Sequence, residues 1–279
     1  MNIFQAILFG LIQGITEFLP VSSSGHLVLA QQIGLEDPAA ADLFFDMILH
    51  AGTLAAVFLA FRKTIGKLIA AFFGTVVQIG KKQFHLKTAT GEQKMIGCLF
   101  VSLLPLLVVY PFKDKLESLY SSLFAVGIAL LVNSIVLFFS DRIRSGGKTA
   151  KTTGWKAALA VGAAQCVAIM PGISRSGSTI TAGLAAGMKR SYAAKYSFIL
   201  SIPTILAAIL LEIIDMIQAP SSFHPEMIPA YIAGFLTAAI SGFFAIRLLK
   251  YILKSKKFIV FSAYCLIAGT TAIVLSFIF

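Results

Sequence analysis

Apolar residues run along this chain in long blocks, not in alternating or one-sided patterns. Six blocks, roughly 43–61, 95–111, 118–140, 196–216, 228–249 and 258–278, are long enough to cross a lipid bilayer as helices. Two further apolar regions are interrupted. Residues 2–19 stop at Pro20 and the serines Ser22, Ser23 and Ser24, then resume for about ten residues. Residues 156–169 stop at Pro171-Gly172 and resume at 178–188. A half-helix of about 10 to 14 residues, at about 1.5 Å each, covers only about 15–21 Å of a hydrocarbon core roughly 30 Å thick. No such half crosses alone. Each interrupted region is therefore predicted to be a re-entrant hairpin that enters and leaves on one side.

Composition supports a membrane setting. Of the 279 residues, 58% are hydrophobic and 13% charged, against about 25% charged in a soluble domain. The predicted fold class is all-α: one integral membrane domain over 1–279, with six transmembrane helices plus two re-entrant helix hairpins. No Lys or Arg precedes Arg62, so the first segment is expected to stay in the protein and not be cleaved as a signal peptide. Cys98, Cys166 and Cys265 stand alone in apolar segments and fit neither a disulfide framework nor a metal motif.

The net charge of +11 does not point to nucleic acid, because of where the charge lies. Twenty of the 23 basic residues fall in 62–94, 142–156, 189–195 and 247–257. The segments 31–42 and 217–227 have no basic residue and carry Glu36, Asp37, Asp42 and Glu226. Positive-inside bias places the four basic clusters in the cytoplasm. Six crossings and two hairpins then alternate consistently, with both termini outside. Segment 64–80 reads as an interfacial helix.

The interrupted regions also resemble each other at an offset of 152. Gly10 matches Gly162 and Gln13 matches Gln165, while Ser22, Ser24 and Gly25 match Ser174, Ser176 and Gly177. Leu54-Ala55-Ala56 matches Leu206-Ala207-Ala208 in the same register. Each half holds one hairpin and three spans, so the halves, about 1–140 and 154–279, form an inverted-topology repeat. Such folds place their sites near the midplane where broken helices meet.

The two breaks carry the candidate chemistry. Ionisable groups at membrane depth cost about 2.5–3.5 kcal/mol each and usually face a cavity or one another. Arg175 is the one basic residue in the hairpins' polar breaks, and Glu17 lies in the other hairpin. A structural Glu–Arg clamp is the plain alternative, but the neighbouring hydroxyls and glycines suit an anion. Helix starts bind anions, and Arg offers a planar fork for phosphate oxygens. Ser174, Arg175, Ser176 and Thr179 form one candidate phosphate cradle; Ser22, Ser24 and Gly25 form the other. Ser23 or His26 could attack phosphorus, and His26 could instead assist Ser23 as acid or base. Gln13 and Glu17, four apart on one helix face, could hold Mg²⁺ or Ca²⁺ together with substrate phosphates. Asp46 and His50, also four apart, are expected to serve polar packing, with a supporting role at the site as the alternative. His85 and His224 are expected to be solvated, and Asn133 to make an interhelical hydrogen bond.

QGITEFLPVSSSGH and PGISRSGST closely resemble the two signature motifs of the bacterial undecaprenyl-diphosphatases of the bacitracin-resistance type. The resemblance runs the length of the chain. It implies a membrane hydrolase acting on a phosphoric anhydride, with an isoprenoid lipid diphosphate as substrate and membrane lipids as surroundings. It further implies a multi-pass protein of the cell membrane whose site opens to the outer face. By motif, Glu17, Ser23, His26, Ser174 and Arg175 correspond to the family's functional positions. Gln13 is neutral where the family has Glu or Gln, and so brings no charge to a cation. A transporter or flippase for a phosphorylated isoprenoid lipid is the competing reading, since inverted repeats are common in transporters. A homodimer is a candidate assembly. The topology is testable: a cysteine at Glu36 should react with an impermeant thiol reagent from outside, and labelling only from the cytoplasmic side would reverse the assignment.

Overall fold

The computed structural model describes residues 1–35, 43–112, 119, 122–218, 224–254 and 257–278. Glu36, Asp37, Asp42, Lys113, Lys115, Lys256 and the first residues of the predicted 118–140 span lie outside the described residues. Ten α-helices follow in chain order: α1 Ile3–Phe18, α2 Ser23–Ala30, α3 Leu43–Gly80, α4 Gly91–Val109, α5 Leu123–Ser140, α6 Trp155–Val167, α7 Arg175–Ala185, α8 Arg190–Gln218, α9 Ile228–Lys254 and α10 Phe258–Leu275. No strand occurs among the described residues. Helices α3, α4, α5, α8, α9 and α10 are long and apolar enough to cross a membrane.

The observed boundaries follow the hydrophobic pattern closely. Helix α3 leaves helical geometry at Phe61 (φ −121°, ψ 16°), where the predicted span ends and the predicted interfacial helix begins. At about 1.5 Å per residue its 38 residues run about 57 Å, too long for one straight crossing. Some boundaries differ: the span expected from 196 starts at Arg190, the one expected to end at 249 runs to Lys254, the one expected from 95 starts at Gly91, and the second half of the later interrupted region starts at Arg175, not at 178. Ser174 caps it, accepting from the Gly177 amide at 3.1 Å, so the polar motif itself forms the first turn.

Packing is set by small residues. Helix α1 lies mainly against α9, and α6 against α4, while α5 pairs with α10. A methyl group on Gly10 of α1 would sit 2.6 Å from the Gly234 carbonyl oxygen of α9. One on Gly162 of α6 would sit 2.4 Å from the Ser102 carbonyl oxygen of α4. With lipid outside, close backbone approach supplies the van der Waals contact that holds such helices together. The two glycines matched by sequence thus do the same job on different partners.

The helix breaks meet in the interior, and Asn133 of α5 joins them. Its side-chain nitrogen donates to the Pro20 carbonyl at 2.9 Å, and its oxygen accepts from the Ser174 amide at 3.2 Å. The Ser176 hydroxyl donates to the Leu19 carbonyl at 3.2 Å. These bonds pair backbone groups freed by the breaks, which hydrocarbon could not satisfy. Gly172 completes the fit with φ +96°, and an added Cβ would lie 2.6 Å from the Val126 carbonyl oxygen. Gly172→Ala is therefore expected to cost at least about 1–3 kcal/mol from backbone strain alone. That should appear as a lower thermal unfolding midpoint in detergent; an unchanged midpoint would contradict the packing described.

Candidate active site between the two helix breaks

Glu17 closes the last turn of α1, and Arg175 opens α7. Their side chains form an ion pair across the breaks, only 8% and 16% exposed. The same carboxylate takes two further bonds on its other oxygen. The Ser23 hydroxyl donates at 2.6 Å and the Gln13 side-chain amide at 3.3 Å. Ser23 is thereby held beside a carboxylate able to accept its proton, the arrangement that activates a hydroxyl nucleophile. Ser22, immediately before it, holds φ +72°, an uncommon conformation for a residue with a side chain.

These groups line a cavity of about 230 Å³. Of the residues expected from sequence, Glu17, Ser22, Ser23, Ser24, Ser174 and Arg175 border it. Gln165, His50, Thr204 and Thr16 join them. Among the described residues, two buried donors there have no hydrogen-bond partner: Arg175 Nη1 and Gln165 Nε2. Gln165 is oriented by Thr204, whose hydroxyl donates to its oxygen at 3.3 Å. The Ser22–Ser24 hydroxyls are 3.3 Å apart and the Ser174–Ser176 hydroxyls 3.1 Å apart, so the two tips repeat one local pattern.

Several expected site residues make hydrogen bonds within the scaffold. His26 does not pair with Ser23. Its Nδ1 is 2.7 Å from the Ser22 carbonyl oxygen, and its Nε2 is 2.6 Å from the Tyr264 hydroxyl on α10. A carbonyl only accepts, so Nδ1 carries the proton and the tyrosine donates to Nε2. The ring stacks on Tyr264 with centroids 5.5 Å apart, and both nitrogens are occupied. The Thr179 hydroxyl bonds the Arg175 carbonyl at 2.8 Å and Ser197 at 2.7 Å, tying α7 to α8. The Gly25 amide is spent on the Ser22 hydroxyl, and the Ser176 hydroxyl on Leu19.

Gln165 carried a signal in the sequence, since it stands at the repeat offset from Gln13. For a divalent cation, the fitting donors are the Glu17 carboxylate and Gln13 Oε1, which is buried without a hydrogen-bond partner. No cluster of three His, Cys, Asp or Glu that could hold a metal occurs among the described residues.

Six helices long and apolar enough to cross a membrane, and a cavity between the helix breaks lined by serine, carboxylate and arginine, suggest a multi-pass membrane protein. A family model described as "Bacitracin resistance protein BacA" matches residues 6–271. An undecaprenyl-diphosphatase of Methanosphaera stadtmanae is 40% identical over 284 residues, covering 99% of each chain. One from Carboxydothermus hydrogenoformans is 38% identical, covering 99% of this chain and 98% of its own. One from Halothermothrix orenii is 40% identical with both chains fully covered. The chain belongs to the BacA family of bacitracin resistance proteins.

Proposed function

We propose that this protein hydrolyses undecaprenyl diphosphate to undecaprenyl phosphate and inorganic phosphate, recycling the lipid carrier for cell-wall synthesis and so conferring bacitracin resistance. One observation carries the chemistry. A serine hydroxyl lies 2.6 Å from a buried carboxylate, beside an arginine whose Nη1 has no hydrogen-bond partner among the described residues. Family membership supplies the substrate.

Ser23 Oγ attacks the terminal phosphorus and passes its proton to Glu17. The bridging P–O bond breaks, and its electron pair leaves with the lipid monophosphate. Glu17 hands that proton to the departing lipid monophosphate, then takes one from the water that cleaves the phosphoserine and returns it to Ser23, while the water's other proton stays on the released phosphate. Arg175 Nη1, Gln165 Nε2 and the amides at the head of α7 stabilise the phosphoryl oxygens, in the manner of an oxyanion hole. His26 holds the Ser22 carbonyl, and with it the start of α2. Mg²⁺ or Ca²⁺ would be held by Glu17, Gln13 Oε1 and the substrate's own oxygens. When bound, it would neutralise phosphate charge.

The same proposal includes two re-entrant hairpins in an inverted repeat, with the cavity open to the outer face. The exchanged pairings α1 with α9 and α6 with α4, and the self-matched pair α5 with α10, support the repeat. The placement of basic clusters supports the orientation.

Purified protein in detergent should release phosphate from an isoprenoid diphosphate. Arg175→Ala should lower turnover by about 100-fold or more, by analogy with loss of an oxyanion donor. Normal turnover in that variant would sink the assignment. Ser23→Ala should lose turnover while His26→Ala keeps a measurable share; a live Ser23→Ala beside a dead His26→Ala would mean histidine attack. A chelator should depress the rate if the cation takes part, and an undiminished rate would remove it from the account.

A further inference from the structure

The histidine that borders the cavity is His50, not His26. It stands on α3, outside both helix breaks. Its Nδ1 lies 3.0 Å from the Asp46 carbonyl oxygen and 4.0 Å from the Glu212 carboxylate of α8. The carbonyl accepts only, so Nδ1 carries a hydrogen. Nε2 has no hydrogen bond among the described residues. The ring is thus oriented at one nitrogen, with a carboxylate close by, and unspent at the other. Fixing one imidazole nitrogen decides what the other can do.

The charges around it are few. Asp46 lies one turn earlier on α3, and Glu212 faces it from α8. Glu17 and Arg175 occupy the same cavity but are paired to each other. A lipid diphosphate presents two phosphates, and Arg175 with Gln165 accounts for one. The second needs a donor from another wall.

We propose that His50 binds the lipid-side phosphate of the diphosphate. On binding, the ring takes a proton from solvent at Nε2. Nδ1–H stays on the Asp46 carbonyl, beside Glu212, and Nε2–H bonds a phosphate oxygen. No covalent bond to His50 forms, and the proton returns to solvent when the lipid monophosphate leaves. This inference rests on the phosphatase reading and assigns the half of the substrate that reading leaves unheld.

The test uses farnesyl diphosphate with purified full-length protein. His50→Ala should raise KM by about tenfold, the scale of one charge-assisted hydrogen bond, with kcat falling by less than about threefold. His50→Gln, which places an N–H near the position of Nε2, should recover most of the loss. Inhibition by farnesyl phosphate should weaken in His50→Ala, while inhibition by inorganic phosphate stays as in wild type. Unchanged KM and unchanged farnesyl phosphate inhibition in His50→Ala would overturn the assignment. So would a lowered unfolding midpoint in His50→Ala with no recovery by Gln, which marks a structural role. Binding of a non-hydrolysable methylene analogue separates the two readings. If wild type binds the analogue but releases no phosphate from the substrate, the hydrolysis proposal fails; weaker binding by His50→Ala would still support the site.

Discussion

The ion pair between Glu17 and Arg175 is the contact on which the rest of the site depends. Each charge alone would be expensive at this depth, about 2.5–3.5 kcal/mol on insertion scales. Paired, they lie 158 residues apart in sequence and close the gap between two helix breaks. Removing one partner strands the other, which typically costs about 3–5 kcal/mol in a buried pair. Stability and chemistry therefore share these side chains. The carboxylate that anchors Arg175 is also the acceptor for the Ser23 hydroxyl. The guanidinium that anchors Glu17 leaves Nη1 buried without a hydrogen-bond partner among the described residues.

A pair of this kind needs a rigid frame, and the frame comes from satisfied backbone. Helix breaks inside a membrane expose amides and carbonyls that lipid cannot serve. Asn133 serves both breaks at once, Ser176 serves the first, and Ser22 and Ser174 cap the helices that follow. Hydroxyls that look catalytic in a linear motif divide into two groups. Those of Ser176 and Thr179 are used up by the scaffold, whereas Ser23 meets a carboxylate at the cavity wall.

Much of this was legible in the sequence, for definite reasons. Spans are legible because lipid demands continuous apolar length, so Phe61, Ser140, Ile228 and Phe258 fall at or beside expected boundaries. The breaks are legible because Pro20, Pro171 and Gly172 cannot continue a helix. The repeat offset pairs Gln165 with Gln13 but does not by itself assign it to the site. The direction of His26 was not legible: it follows from Ser22 at φ +72° and from Tyr264, 238 residues away. Nor was the approach of His50, which depends on how α3 crosses α8. A motif lists residue types, while a side chain's partner is set by helices that the motif does not contain.

The central claim is that Ser23, held by the Glu17–Arg175 pair, takes the phosphoryl group. Acid quenching during turnover of an isoprenoid diphosphate radiolabelled in its terminal phosphate, followed by peptide mapping, tests this directly. The account predicts acid-stable label on the peptide containing Ser23, and none in Ser23→Ala. Acid-labile label that survives only alkaline quenching and maps to His26, or turnover with no labelled protein at all, would contradict it.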